Sequence, residues 1–339
     1  MIEARGITRT FDRRGGGMLE RARVHALRGV DLVIPDRGAV SLIGESGCGK
    51  TTLGRILCGF EQFDEGDLLV DGESLRALRP KKRTPYFRRV QLIHQDPYSA
   101  LNPTRTIGEI LADPLALRAG QLGADGAWAK ARRAELLGLV GLDPDYVLPR
   151  YPHMLSGGMR QRVVVARALT VDPELLVADE AVSMIDVSLR LGILQLLRDL
   201  RDTAGVSVLF ITHDVATARY IGDGGELYVI YRGMVVEHGS AETVIQEAAH
   251  PYTQSLLSAI PVLRGIEEPG PHRVVPTGPL DERVESPGCL FEPRCPFAAA
   301  DCRTGVPALT HRGDTRQLHA CLHPEHRSVV AVPVAGPAA

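Results

Sequence analysis

A glycine-rich segment between a predicted strand and a predicted helix constrains this chain more than any other feature. An apolar run of strand length, Ala39–Ile43, precedes it, and a helical stretch, Thr52–Cys58, follows it as far as Gly59. The segment fits the pattern of four free positions between two glycines, then Lys and Ser/Thr, and consists of Gly44, Glu45, Ser46, Gly47, Cys48, Gly49, Lys50, Thr51 and Thr52. In this context the pattern predicts a phosphate-binding loop.

The residue types in this loop suit the binding of a nucleoside triphosphate with Mg²⁺. Glycines let successive backbone N–H groups point inward at a helix N-terminus, where they attract an anion. We expect Lys50 to reach the β- and γ-phosphates, the Thr51 hydroxyl to lie on Mg²⁺, and Thr52 to support the amide cradle. Cys48 is expected to offer mainly its backbone N–H. The alternative is a chance match in an ordinary glycine turn, which the flanking elements disfavour.

Length and composition favour about two globular domains without a membrane span. The chain has 339 residues, 44% of them apolar, and its net charge of −2 gives no general attraction to nucleic acid. The first residues lack the order of a secretory signal, and no apolar run approaches the ~20 residues of a membrane helix. We therefore expect a soluble or peripheral protein of the cytosol that does not bind nucleic acid.

The predicted elements around the loop describe an α/β core with a helical insertion. In the N-terminal part we expect a strand that ends at Phe11, a loop over Asp12–Ala22, and strand pieces at Val24–Leu27 and Val30–Ile34. Phe11 precedes the loop and could stack on an adenine, although an aromatic on a strand is as often part of the core. Between about residues 96 and 170 the pattern becomes helical.

Two helices are predicted in this insertion, over Ile107–Leu117 and Ala127–Leu139, with prolines such as Pro114 as breaks. After them, Ser156 is a good N-cap for a helix through about Leu169. Gly157 and Gly158 would leave N–H groups bare at that helix start, which is a second anion-binding arrangement. A plain loop and cap is the alternative.

Two later predicted strands end in groups that suit phosphate chemistry. The apolar strand from Leu175 ends in Asp179, which could hold the Mg²⁺ water shell, and Glu180, which could orient or deprotonate an attacking water. The apolar strand Val206–Ile211 is followed by His213, which could contact the γ-phosphate or be merely structural. Asp186 closes a turn between these strands.

In this order the motifs resemble those of the ATP-binding subunit of an ABC transporter. The resemblance covers residues 1 to about 325 and rests on the phosphate loop, Gln95, Ser156-Gly157-Gly158, Asp179-Glu180, Asp186 and His213. Within that family, four segments are similar to the dipeptide/oligopeptide permease branch, which includes nickel importers: His94–Pro103, Tyr151–Leu155, His250–Thr253 and Gly288–Pro296.

The resemblance implies an α/β fold: a P-loop NTPase core with an antiparallel β subdomain, an inserted helical subdomain and a small cysteine-containing C-terminal extension. We expect the ATP-binding domain over residues 1–260, with the helical subdomain at about 96–170. We expect the extension over 261–339, beginning with a Pro/Gly-rich linker at 261–288.

The function implied is an ATP-binding and ATP-hydrolysing subunit that powers import of di- or oligopeptides. A nickel or other small-solute importer of the same branch, or a soluble non-transport ABC ATPase, is the alternative. The implied partners are a second ATP-binding subunit, identical or paralogous, in a head-to-tail dimer, two transmembrane permease subunits and, indirectly, an external substrate-binding protein. The implied location is peripheral, on the cytoplasmic face of the membrane.

The family's site roles carry over by matching position. Each ATP would lie between the phosphate loop of one subunit and the Ser156-Gly157-Gly158 helix start of the other. The implied roles are adenine stacking for Phe11, phosphate binding for Lys50, Mg²⁺ binding for Thr51, Gln95 and Asp179, water polarisation for Glu180, γ-phosphate contact for His213 and communication between the two sites for Asp186.

Several positions depart from the usual family pattern: Met159, Ala181, Met184 and Ile185. We expect little loss from Met159, because Ser156 and the glycine amides supply the phosphate contacts. We expect the other three to affect hydrolysis rate or communication between subunits, and to leave nucleotide binding alone. His94, where Phe is usual, receives no role.

Four of the six cysteines lie in the last fifth of the chain: Cys289, Cys295, Cys302 and Cys321. In a reducing compartment such a cluster indicates a metal more than disulfides. The set lacks the close cysteine pairs typical of structural zinc, and four thiolates suit an iron–sulfur cluster. Some members of the resembled branch are thought to carry a [4Fe–4S] cluster here. Zinc and free thiols are the alternatives.

Overall fold

The computed structural model describes residues 1–14, 21–260, 267–268, 272–278, 287–311, 316–327, 329 and 332–333. Most of the segment predicted as a linker, residues 261–288, lies outside these ranges. Among the described residues, no helix combines the length and the apolar character that crossing a membrane requires.

Strands and helices alternate through most of the described chain. The strands are β1 Ile2–Arg14, β2 Arg21–Ile34, β3 Ala39–Ile43, β4 Glu65–Val70, β5 Glu73–Ser74, β6 Val90–Ile93, β7 Leu175–Asp179, β8 Ser207–Thr212, β9 Glu226–Tyr231, β10 Met234–Ser240, β11 Glu267–Glu268, β12 Thr310–His311, β13 Leu318–His319 and β14 Val332–Pro333. The α-helices are α1 Lys50–Leu57, α2 Pro80–Arg89, α3 Pro97–Ala100, α4 Ile107–Leu122, α5 Gly126–Leu139, α6 Pro144–Val147, α7 Gly157–Leu169, α8 Val187–Ala204, α9 Val215–Ile221, α10 Ala241–Gln246 and α11 Pro251–Ser258. Short 3₁₀ turns lie at Pro152–Met154, Glu292–Arg294 and Ala300–Arg303.

An antiparallel sheet with strand order β2-β1-β4-β5 forms the predicted β subdomain. Its hairpin corrects the sequence prediction, because β1 continues past Phe11 and β2 is one strand rather than two pieces. Asp12 pairs with Arg23 and Arg14 with Arg21, so both ends of the predicted loop are paired strand, while residues 15–20 lie outside the described ranges. Gly29, at φ 84, marks a register irregularity within β2 instead of a strand end. The polar composition of this segment indicated a loop, but the paired strands of an exposed hairpin can also carry polar side chains.

A second sheet has the order β12-β13-β10-β9-β3-β8-β7-β6. Strands β6, β7, β8, β3 and β9 run parallel, and β10 adds antiparallel to β9. The central strands β3, β7 and β8 are buried along their whole length, as expected for a parallel sheet covered on both faces. Because these strands are parallel, the polar residues that follow them gather at one edge of the sheet.

The helical insertion packs on this sheet through α7 and α8. One apolar cluster joins Leu111 and Leu137 of the insertion to Val164 of α7 and Phe210 of β8. The predicted break at Pro114 is wrong, because α4 runs without interruption from Ile107 to Leu122. A capping box between Thr106 and Glu109, and burial of the flanking apolar face, stabilise the helix enough to keep this proline inside it.

The C-terminal residues join the same body rather than lying apart from it. Strands β12 and β13 extend the parallel-containing sheet beyond β10. Phe291 packs edge-on against Tyr231 of β9 and Tyr252 of α11, with ring centroids 5.3 and 5.5 Å apart. This aromatic cluster connects the cysteine segment to the strands beside the glycine-rich loop.

Candidate functional site

The glycine-rich loop connects the end of β3 to the first turn of α1, as predicted. Gly49 caps α1 with φ 105, and a Cβ atom there would lie 2.3 Å from the Ala26 carbonyl oxygen. Only glycine therefore fits this position. Lys50 is almost fully buried, and its Nζ donates to the carbonyl oxygens of Gly44 at 2.7 Å and Glu45 at 2.8 Å. The remaining predicted loop residues, Ser46, Gly47, Cys48, Thr51 and Thr52, belong to the same turn and helix start.

Cys48 points into the protein rather than toward solvent. It is 5% exposed, and burial raises the pKa of its thiol. A neutral buried thiol is a poor nucleophile. Its backbone carbonyl accepts from Gly233 N at 2.9 Å, so the loop is anchored to the turn between β9 and β10.

The end of β7 brings an acid to the loop. The Thr51 hydroxyl donates to Asp179 Oδ1 at 3.2 Å. Asp179 is buried, and its burial raises the pKa of the carboxyl group although the Thr51 hydrogen bond opposes that shift. A hydroxyl and a carboxylate side by side offer the oxygen ligands that Mg²⁺ prefers, and a divalent cation here would favour the ionised acid.

The Glu180 side chain lies where the C-terminal ends of β6, β7 and β8 come together. Gln95, just after β6, donates from Nε2 to Glu180 Oε2 at 3.2 Å. His213, just after β8, lies with Nδ1 3.1 Å from Glu180 Oε1. The Glu180 backbone has φ 49, in the left-handed region that non-glycine residues rarely adopt, and its N–H donates to Ile211 O at 2.9 Å. Both carboxylate oxygens are thus oriented by residues from neighbouring strands.

The Ser156-Gly157-Gly158 segment starts α7, as predicted, with Ser156 Oγ accepting from Met159 N at 3.3 Å. Asp186 is the N-cap residue of α8, without a side-chain capping bond. Among the described residues, neither Ser156 nor Asp186 is hydrogen-bonded to the glycine-rich loop of the same chain. One link does connect α7 to the Gln95 region, because Gln161 Nε2 donates to His94 O at 3.4 Å.

Phe11 lies on β1 opposite Val24 and is partly buried. The Arg9 guanidinium carbon lies 4.6 Å from the centre of its ring. One face of this ring is therefore already covered by a cation, and only the remaining surface could receive a base.

The four C-terminal cysteines line one small cavity, together with Phe291, Phe297 and other residues. None of them forms a disulfide. Burial raises the pKa of Cys295 to about 11 and that of Cys321 to about 12, so the free thiols are protonated near neutrality. Cys295 and Cys321 are thus poor nucleophiles unless a metal takes the place of the proton.

Another group beside this cavity has metal-binding geometry that the sequence analysis missed. Asp301, Cys302 and His323 place one ligand atom each within 4.8 Å of one another, and within the described ranges they are the only trio of this kind.

Two further residues, Tyr252 and Arg294, reach the glycine-rich loop from the C-terminal part of the chain. Both residues belong to segments that resemble the peptide-permease branch, His250–Thr253 and Gly288–Pro296. Nothing in the sequence spacing indicated that they contact the glycine-rich loop.

Comparison with known proteins agrees with this arrangement. Residues 27–183 match the profile described as ABC transporter, and residues 236–302 match the profile described as oligopeptide/dipeptide transporter, C-terminal region. The chain is 38% identical to the dipeptide transport ATP-binding protein DppF of Haemophilus influenzae, over 95% of this chain and 96% of that protein. It is 37% identical to the di/tripeptide transport ATP-binding protein DppF of Pseudomonas aeruginosa, over 96% and 98% of the two chains.

A solved structure shows the same fold at lower identity. The ATP-binding cassette MJ0796, solved as a dimer in a post-hydrolysis state with ADP and Pi, superimposes with a TM-score of 0.61 at 28% identity. The match covers 71% of this chain and 99% of that one. The chain belongs to the ABC transporter family, in its branch of oligopeptide/dipeptide transport ATP-binding proteins, and is an ABC-type ATP hydrolase.

Proposed function

We propose that this chain powers the import of di- or oligopeptides by hydrolysing ATP at the site formed by the glycine-rich loop and Glu180. The observation that carries the proposal is the convergence of Gln95 and His213 on the two carboxylate oxygens of Glu180. This acid follows the strand that delivers Asp179 to Thr51. Such an arrangement supports a hydrolytic site rather than a passive nucleotide-binding module.

In the proposed site, the loop amides and Lys50 hold the β- and γ-phosphates. Lys50 Nζ now bonds two backbone carbonyls, and these bonds would be exchanged for phosphate oxygens when ATP binds. Thr51, Asp179 and Gln95 are the residues we assign to Mg²⁺, which when bound neutralises phosphate charge. Phe11 is assigned to the adenine, on the ring surface that Arg9 leaves uncovered.

Hydrolysis in this proposal depends on Glu180. Its carboxylate would orient a water molecule and accept its proton as the oxygen attacks the γ-phosphorus, and the bond from this phosphorus to the bridging oxygen would break to release ADP. His213 and Gln95 position this carboxylate, and we also assign to His213 the contact with the γ-phosphate. The unusual φ of Glu180 agrees with a side chain held for function rather than for packing.

We propose that a second ATP-binding subunit completes the site. Ser156, Gly157 and Asp186 lie at the starts of α7 and α8 and use no hydrogen bond, among the described residues, on their own loop. A facing subunit in head-to-tail orientation could supply them, and the dimer of the MJ0796 relative supports this arrangement. Two membrane-spanning permease subunits and an external binding protein are the further partners, with this chain on the cytoplasmic face.

Peptides are the proposed cargo because the curated relatives are named for dipeptide, di/tripeptide and oligopeptide transport. The match of residues 236–302 to the oligopeptide/dipeptide C-terminal profile supports the same branch.

We also propose the division into an ATP-binding domain at 1–260, with its helical part at about 96–170, and an extension at 261–339. The packing of Phe291 on Tyr231 means that this extension would be firmly docked.

We propose that Cys289, Cys295, Cys302 and Cys321 hold a [4Fe–4S] cluster, and the side chains fit that group. Tetrahedral zinc with bonds of about 2.3 Å needs thiolate sulfurs about 3.8 Å apart. Within the described ranges no three cysteine sulfurs lie within 4.8 Å of one another, although all four line one cavity. This wider spacing favours a centre larger than a single ion. When bound, the cluster would supply strong thiolate–iron bonds that tie the segment together.

Zinc is a second candidate that a specific observation favours. The Asp301, Cys302 and His323 trio has the compact spacing of a single-ion site, with His323 Nε2 2.8 Å from Asp301 Oδ1. The two proposals share Cys302 and therefore exclude each other in one molecule.

The test of the proposed function uses the whole transporter. Membrane vesicles that contain this chain together with the permease subunits and binding protein of the same transporter should take up labelled di- and oligopeptides when ATP is supplied. The Lys50→Ala variant should abolish uptake while the complex still assembles. Uptake of nickel but not peptide, or peptide uptake that persists in the Lys50→Ala variant, would contradict the proposal.

A further inference from the structure

Two residues from the C-terminal part of the chain hold the glycine-rich loop from outside. The Glu45 carboxylate receives a two-point contact from Arg294, with Nη1–Oε2 at 2.9 Å and Nη2–Oε1 at 3.0 Å. The backbone N–H of Glu45 donates to Tyr252 Oη at 2.7 Å. Arg294 and Tyr252 lie 249 and 207 positions further along the chain, so the contacts are purely tertiary.

Arg294 is itself held from several sides. Its N–H donates to Phe291 O at 2.9 Å, and its carbonyl accepts from Thr277 N at 3.0 Å. The guanidinium carbon lies 5.9 Å from the centre of the Tyr231 ring, and the side chain is only 12% exposed. A two-point ion pair from such a fixed guanidinium specifies both the place and the orientation of the Glu45 carboxylate.

The charge of Glu45 makes this contact matter for nucleotide binding. A free carboxylate in the loop would repel a triphosphate and compete for the Lys50 ammonium, whose Nζ is already 2.8 Å from the Glu45 carbonyl oxygen. Pairing with Arg294 neutralises the carboxylate and keeps it engaged on the side of the C-terminal segment. Lys50 is then left available to the phosphates.

We propose that Arg294 is a positioning residue for ATP binding, which acts by holding the Glu45 carboxylate. This inference rests on the proposed function of Gly44–Thr52 as the ATP phosphate site. It assigns the C-terminal segment a role in the nucleotide site of its own subunit. Lysine could supply the charge but not the planar two-point contact, so Arg294→Lys should retain only part of the effect.

The experiment measures the dissociation constant for Mg·ATP on the purified full-length chain. Loss of a partly buried ion-pair partner beside a phosphate site should weaken ATP binding about tenfold in Arg294→Met. In the double variant with Glu45→Gln, most of this loss should be recovered, because no unpaired carboxylate remains. A merely structural role would not predict such a recovery.

Arg303→Met provides the matched control. Arg303 also makes an ion pair in the C-terminal segment, with Nε 2.8 Å from Glu292 Oε1, but its side chain is 73% exposed. This variant should bind ATP as the unaltered chain does. Unchanged affinity in Arg294→Met, or a double variant no better than Arg294→Met, would overturn the inference. If the unaltered chain and Lys50→Ala bind ATP equally, the proposed function fails instead.

Discussion

Glu180 and His213 face each other across the ends of two neighbouring strands, with Oε1 and Nδ1 3.1 Å apart. Gln95 reaches the other carboxylate oxygen from the strand on the opposite side. The acid is therefore oriented before any substrate arrives. Preorganisation of this kind reduces the cost of aligning a reacting group.

Replacing Glu180 by Gln should separate ATP binding from hydrolysis. Gln keeps the size and one oxygen but cannot accept a proton, so the rate should fall at least ~100-fold, as expected when a general base is lost. ATP should remain bound, and with its partner the subunit should accumulate as a nucleotide-filled dimer. Phosphate release and size-exclusion chromatography measure the two effects.

The control for this experiment is Glu135→Gln on α5, where Glu135 is largely exposed and forms an ion pair with Arg132. It should hydrolyse ATP at the normal rate. A normal rate in the Glu180→Gln variant would mean that another group activates the water.

Gly49 and Gly138 should respond in opposite ways to the same Gly→Ala change. At Gly49 the added Cβ would lie 2.3 Å from the Ala26 carbonyl oxygen at φ 105, so we expect loss of ATP binding and a lower melting temperature. At Gly138, in α5, nothing lies within 4 Å of the added atom. There the change should leave stability unaltered or raise it by up to about 1 kcal/mol, from the better helix propensity of Ala.

Calorimetry and equilibrium ATP binding on both variants check this prediction. Intact nucleotide binding in Gly49→Ala would show that the loop can move away from β2. A strongly destabilised Gly138→Ala would show that α5 depends on the flexibility of that glycine.

Glu237 should make stability fall as the pH rises toward neutrality. The side chain is fully buried, and burial raises its pKa from 4.5 to about 7, although it accepts from the backbone N–H groups of Ala249 and His250. Because the folded state holds the proton more tightly, its stabilising contribution is complete below pH 4.5 and is lost as the pH rises through about 7. At about 1.4 kcal/mol per pKa unit, the loss is roughly 3 kcal/mol.

Urea unfolding of the unaltered chain and of Glu237→Gln, at several values between pH 5 and 8, isolates this effect. Groups that do not contact Glu237 cancel in the difference between the two proteins. His250, whose N–H donates to Glu237, acts in the opposite direction because burial lowers its pKa to about 3. The stability advantage of Glu over Gln should shrink with rising pH, and a constant difference would contradict the prediction.

Anaerobic purification should yield iron and visible charge-transfer absorption if the four-cysteine proposal is correct. Cys295→Ser should lose both signals, because a thiolate ligand is removed. Cys58→Ala is the control, since Cys58 is a buried core residue elsewhere in the molecule. Zinc in place of iron, lost on His323→Ala, would support the Asp301-Cys302-His323 site and contradict the cluster.

The sequence predicted the elements whose pattern is local. Three such elements form as expected: the strand Ala39–Ile43, the N-cap at Ser156 and the apolar strand ending at Asp179. Hydrophobic patterning and N-capping depend only on residues a few positions apart. The end of α4 was not predicted, because the helix runs beyond Leu117 to Leu122 and stops at Gly123, which has φ 66.

The errors and omissions concern effects that depend on distant partners. The length of the β1–β2 hairpin depends on cross-strand pairing, as between Asp12 and Arg23, which outweighs a loop-like composition. Pro114 stays in a helix because packing around it is stronger than its local penalty. The pair between Glu45 and Arg294 spans 249 positions, and no spacing rule connects such residues.

Strands β12 and β13 cap the free edge of β10 with residues that come from near the end of the chain. A version shortened at residue 260 would uncover that edge and strip Phe291 from the Tyr231 and Tyr252 rings. Exposed strand edges next to bare aromatic surface promote self-association. A chain shortened to its ATP-binding domain should therefore form insoluble material rather than a minimal enzyme.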